Sequence, residues 1–280
     1  MSNELYLIPF FIYIFSYALI LPRKKKLHKF FTILIYAGFI LQSLIFFVFL
    51  STKGFNASVH IGWFVFFNAW LLMTVIVLFG LFYRAEYILL YVTPLVAVNL
   101  LIGFFVPHIK IEPAMFSVDK TILLTHIILI LIGDSFFALA FMVSLIYIFQ
   151  ERKIKIKKSL KLFDKKDNSL DEVFHSGSGY NLELLDNINY QCLKIGFPFI
   201  TIGIALGIYL SSSLFNAVIV AKPIEIISLI IWLIYAVLLH ERIAKGVRGK
   251  RAAVFNVIGF LFILFSLSFS FYLFPTLHGF

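Results

Sequence analysis

Charge is what this sequence has least of. Asp, Glu, Lys and Arg make up 14% of its 280 residues, against roughly a quarter in soluble domains. A mean hydropathy of +0.99 excludes a water-soluble globule. Cysteine is nearly absent too. Cys192 stands alone, so there is no internal disulfide, no Cys-x-x-Cys redox or zinc motif, and no cofactor held covalently through paired cysteines. Acidic residues are outnumbered, giving a net charge of +10, but the cations sit in short segments between apolar runs instead of forming a patch. That placement speaks for membrane orientation and not for nucleic-acid binding. No repeat recurs at a fixed period. The first apolar run has neither a basic leader nor a small-residue cleavage site, and is expected to be a retained span.

What the sequence has in abundance is apolar length. Eight runs, at about 4–22, 30–51, 62–83, 87–107, 121–149, 190–214, 223–240 and 253–274, approach or exceed the ~20 residues that cross a bilayer. Backbone groups in lipid must be satisfied internally, so all eight are expected to be helices. The fold class is therefore an all-α, polytopic membrane helix bundle over 1–280, one integral membrane domain. Nineteen of the 24 Lys and Arg residues fall in segments 23–29, 84–86, 150–189 and 241–251, and the segments on the other side carry Lys53, Lys110, Lys120 and Lys222. The positive-inside rule then puts the basic segments in the cytoplasm and both termini outside. Segment 150–189 is the one sizeable cytoplasmic loop. Its basic start, ERKIKIKKSLKLFDKK, is expected to lie on anionic lipid, at about 1 kcal/mol per cation. Its end, NLELLDNINYQ, reads as a short amphipathic helix leading into the sixth span.

Topology sorts the ionisable residues. His28 and His175 fall in cytoplasmic segments and His108 in an outer loop, where solvated histidines are ordinary. His60 opens the third span beside Trp63, Phe66 and Phe67, in an interfacial aromatic belt. His126, at the outer end of span five, and His278, beyond span eight, emerge on the same face. Two neutral imidazoles there suit axial ligation of a haem iron, though outer histidines are often idle. His240 ends span seven at the other boundary, as an interfacial cation or as a ligand of a separate inner site, because ~30 Å of bilayer divides it from the outer pair. Asp134 lies near the middle of span five, where an Asp costs ~2.5–3.5 kcal/mol to insert; a partner in the bundle or a protonated carboxyl is expected. Glu225 sits near the outer end of span seven, close to Lys222.

Three stretches carry a family resemblance: ELLDNINYQCLKIGFPFITIGIALG (183–207), WLIYAVLLHERIAKGVRGKRAAVFNVIGF (232–260) and the LHGF tail, with weaker matches in LLTHIILILI (123–132) and HIGWFVFFNA (60–69). They resemble the CcsA/HemX-type cytochrome c assembly family of haem-handling membrane proteins. The resemblance implies that His126 and His278 are outer axial ligands of haem b, bound non-covalently and transiently, and that His240 receives haem from the inner side. It also implies a CcsB-like partner with a soluble external domain, apocytochrome c as client, and the inner membrane as location. The tryptophan-rich WWD segment of the family is degenerate. Residues 208–232 read IYLSSSLFNAVIVAKPIEIISLIIW, with Ala221–Lys222 where Trp-Asp stands in the family and only Pro223, Glu225 and Trp232 in keeping.

The expectation is thus a protein of haem delivery or cytochrome c maturation, a subunit of an attachment complex and no enzyme by itself. A HemX-type regulator of haem synthesis is the alternative. A secondary transporter fits less well, because matching Gly/Pro-broken half-helices are missing from the two halves.

Overall fold

The computed structural model describes residues 4–18, 25–53, 61–83, 87–105, 120–163, 181–215 and 223–277. They form eight helices: α1 (Glu4–Ala18), α2 (Lys25–Lys53), α3 (Ile61–Phe82), α4 (Tyr87–Phe105), α5 (Lys120–Phe163), α6 (Leu182–Phe215), α7 (Pro223–Ala244) and α8 (Lys250–Leu277). Each answers to one apolar run of the sequence, and no strand occurs among the described residues. Within α2, α3, α4, α5, α6 and α7 the described residues include a stretch long and apolar enough to cross a membrane, whereas the apolar stretch of α1 is shorter. The chain is a multi-pass membrane protein.

Two helices exceed the lengths expected from hydropathy. The fifth span was expected to end at 149, yet α5 continues to Phe163 through the basic run. No Gly or Pro lies between Asp134 and Phe163, and a Glu151–Lys155 pair at i, i+4 spans 2.8 Å on the extension. Likewise the amphipathic segment before the sixth span is not a separate helix, but the first turns of α6. Asn181 starts it as an N-cap, its Oδ1 accepting from the Glu183 amide at 2.8 Å. Hydropathy marks where lipid ends; helices end where a breaker or cap ends them.

Two compact units divide the chain, Met1–Leu139 with Phe199–Val220, and Ala140–Pro198 with Ala221–Phe280. In the first, α1 packs on α2 and α4, and α3 on α2 and α4. Tyr13 of α1 donates to Gln42 of α2 at 2.8 Å, both side chains fully buried. Trp63, Phe67 and Trp70 on α3 stack around Phe46 of α2, the closest pair 4.4 Å between ring centroids. In the second unit, α7 and α8 form a packed hairpin.

Large apolar side chains line the outside: Phe11, Phe15, Phe47, Phe82, Leu233 and Phe265 are all exposed, Phe82 at 81%. Gln42, Ser144, Asn189, Arg242 and Asn256 are buried. That distribution is unfavourable in water and suits a hydrocarbon solvent, where polar groups turn inward and pair.

Candidate functional site

His126 lies in the second turn of α5, inside the first unit, with its ring half-buried against α6. The two helices run antiparallel here. His126 and Ile130, one turn apart, meet Gly207 and Gly203, one turn apart in the opposite sense. The His126 Nδ1 is 2.7 Å from the Gly203 carbonyl oxygen. A carbonyl only accepts, so Nδ1 carries the proton and donates it, and in the neutral ring the lone pair resides on Nε2. The contact exists because neither glycine has a side chain. A Cβ on Gly207 would lie 2.7 Å from the imidazole Cε1 and 3.2 Å from Nδ1. Phe136 stacked on Phe199, 6.4 Å between centroids, continues the same seam.

An imidazole with Nδ1–H bound to a fixed carbonyl and Nε2 left for a metal is the arrangement that metal-ligating histidines adopt. The donor set suits one axial ligand of a haem iron. Among the described residues no group of three or more His, Cys, Asp or Glu comes together.

The other residues singled out from sequence are placed as follows. Asp134 continues the i, i+4 series from His126 through Ile130 and is half-buried. The partner expected for it in the bundle is missing among the described residues, where its carboxyl meets neither cation nor hydrogen-bond donor. Glu225 is half-buried in the first turn of α7. His240 is exposed on α7, near its C-terminal end. His60 and His278 lie outside the described residues.

A second polar cluster, inside the second unit, escaped the sequence reading. Arg242 was counted among the loop cations of 241–251. It belongs to the last turn of α7, and its guanidinium is buried. Its Nη2 donates to Asp186 Oδ1 at 2.9 Å and to the Asp186 carbonyl at 3.1 Å. Its Nη1 donates to Asn189 Oδ1 at 2.6 Å, and the Tyr190 ring lies 5.1 Å away. Asn189 Nδ2 donates in turn to Ser144 Oγ at 2.6 Å. Ser144 Oγ also accepts from Asn256 Nδ2 at 3.0 Å and donates to the Ala140 carbonyl at 2.8 Å. The chain of bonds ties α5, α6, α7 and α8 together. The signal was present: Asp186 and Asn189 stand three apart on one helix face, and polar residues that recur at helical spacing in apolar helices ask for partners.

Comparison with known proteins gives this geometry its context. The chain is 29% identical over 172 residues to the cytochrome c biogenesis protein CcsA of Heterosigma akashiwo, covering 55% of this chain and 53% of that one. It is 29% identical over 175 residues to the CcsA protein of Mesostigma viride, covering 59% and 57%. It is 40% identical over 82 residues to that of Porphyra purpurea, covering 29% and 26%. The matched segments thus span about half or less of these curated relatives. No solved structure matches. Residues 58–278 match the model of the family described as cytochrome C assembly protein, so the chain belongs to the cytochrome c assembly protein family.

Proposed function

We propose that this protein handles haem during the maturation of c-type cytochromes, as a single integral membrane domain of eight transmembrane helices with both termini outside. The basic segments, including 150–189, then face the cytoplasm and its anionic lipid. The inner membrane is the proposed location, and a CcsB-like protein with an external domain is the proposed partner. His126 and His278 are assigned as outer axial ligands of haem b, and His240 as the inner ligand. Haem held this way is a cargo that apocytochrome c accepts, and its iron supplies the coordination bonds.

The observation that carries the reading is the His126 seat. Its Nδ1–H is held by a backbone carbonyl, which fixes the ring and leaves the Nε2 lone pair for a ligand. Arg242 donates to Asn189 and Asp186 of α6, and the Gly249 amide donates to Asp186, which ties the His240 end of the α7–α8 hairpin to α6 and suits a residue that must present a ligand. The tryptophan-poor stretch 208–232 favours the HemX-type regulator as second reading, but the relatives carry a biogenesis name and not a regulatory one.

The test is the absorption spectrum of the purified protein. A Soret band is expected, and haem affinity weakened by at least about tenfold in His126→Ala and in His278→Ala, since loss of an outer-shell partner alone costs about that much. Loss of c-type cytochromes on deletion of the gene is expected as well. A haem-free protein whose deletion leaves c-type cytochromes intact would sink the proposal.

A further inference from the structure

We infer that Gly207 and the Gly203 carbonyl form a tautomer-selecting seat for His126, with Gly207 as a positioning residue that acts on haem only through that imidazole. The inference deepens the proposed function and rests on it for its haem-binding consequence, although the seat itself is a property of the polypeptide alone.

Three observations converge on it. The carbonyl of Gly203 lies 2.7 Å from Nδ1, so one tautomer is selected: the other would set a lone pair against a lone pair. In a helix that carbonyl already serves the amide four residues on, which is Gly207. It accepts a second proton from the side here because Gly207, one turn on, has no Cβ to displace the imidazole. The space beside the ring is also specific. A Cβ at Gly207 would come within 2.7 Å of Cε1, 3.2 Å of Nδ1 and 3.6 Å of Nε2, so its three nearest atoms all belong to the imidazole. A Cβ at Gly203 would instead have Ile130 as its nearest neighbour, with Cδ1 at 2.7 Å, Cγ1 at 3.0 Å and the backbone nitrogen at 3.4 Å.

A small-xxx-small pair in a membrane helix is ordinarily read as a packing device. Packing alone predicts that the two glycines are equivalent. The seat predicts that they are not, because an added Cβ meets the ring first at Gly207 and Ile130 first at Gly203.

The paired substitutions Gly203→Ala and Gly207→Ala decide between these. Both add one methyl to the same face of one helix and change helix propensity alike, so each controls for the other. The first readout uses the full chain in detergent, free of haem and labelled with 15N-histidine, with the His126 signals assigned by difference against His126→Ala. In the unsubstituted protein His126 is expected as the Nδ1–H tautomer. Gly203→Ala is expected to keep that signature and Gly207→Ala to lose it. The second readout is haemin titration followed at the Soret band. Gly207→Ala is expected to weaken retention about tenfold or more while Gly203→Ala stays within about twofold, in line with what outer-shell partners contribute to metal sites.

An Nε2–H tautomer in the unsubstituted protein overturns the inference, whether or not either variant accumulates. Equal effects of the two substitutions overturn the positioning role of Gly207 in favour of packing. An Nδ1–H tautomer in a protein that takes up no haem leaves the seat standing and removes the proposed function instead, so the two failures are distinct.

Discussion

Arg242 shows best how much a single side chain hides from a hydropathy reading. By composition it is one more cation past the end of an apolar run. By register it is two positions from His240, some 200° around the helix, and the two side chains accordingly part company: His240 is exposed while Arg242 is buried. The guanidinium then meets Asp186, Asn189 and the Tyr190 ring within 5.1 Å. A buried ion pair of this kind contributes little over an apolar substitute, but breaking it from one side strands a charge. Asp186→Ala is therefore expected to destabilise by about 3 kcal/mol and Arg242→Met by less, because Met leaves behind no buried charge but a partly exposed carboxylate that keeps the Gly249 amide, and the neutral Asn189 Oδ1. The double substitution should cost less than the sum by about 1–3 kcal/mol, the coupling of residues in one network. Thermal unfolding of the detergent-solubilised protein measures the cycle; strict additivity would show that the pair is decorative. Topology and resemblance single out His126 as a candidate, but neither points to its seat. A backbone carbonyl leaves no mark in a sequence, and glycines read as punctuation until their neighbours are known.

Turn geometry carries the argument at the scale of elements. The α7–α8 connection, Lys245–Gly249, holds two glycines with left-handed backbone, Gly246 at φ 64° and Gly249 at φ 67°. Gly246 turns the chain so that the Val247 amide reaches back to the Glu241 carbonyl at 3.2 Å, and nothing stands within 4 Å of where its Cβ would be. Gly249 donates its amide to Asp186 Oδ1 at 3.0 Å, and its Cβ would fall 2.9 Å from the Tyr147 hydroxyl. Both substitutions to Ala incur the ~1–3 kcal/mol of a strained backbone position, and only Gly249→Ala adds a steric clash. The expected order is thus Gly249→Ala worse than Gly246→Ala. Adding Tyr147→Phe should return Gly249→Ala toward the milder value and do nothing for Gly246→Ala. Melting temperatures of the four variants check it, and a Tyr147→Phe effect common to both glycine variants would refute the contact. The turn itself was visible as a basic, glycine-containing gap between spans. The length of α5 was not, because hydropathy falls at residue 150 while the helix, with no breaker to stop it, runs to Phe163.

For the whole molecule, the eight apolar runs sufficed to foresee eight helices, because a chain that must satisfy its backbone in lipid has few alternatives. What decides function beyond that is which helix ends share a face, and this rests on the cations. With 19 Lys and Arg residues in alternate segments, the proposed topology puts residue 53 and residue 251 on opposite sides of the membrane, and divides His126 from His240 with them. The chain offers a clean way to ask. Its sole cysteine, Cys192, is buried, so the background in thiol labelling should be low. Cysteine introduced at Lys53 is expected to react with a membrane-impermeant maleimide added to intact cells. Cysteine introduced at Arg251, which is exposed, is expected to react only after the membrane is opened. The reverse pattern would invert the topology and exchange the proposed outer and inner ligands. Labelling of both sites from outside would break the alternation, and with it the proposal of eight spans. Only the expected pattern keeps His126 on the outer face that the proposed haem-handling role requires.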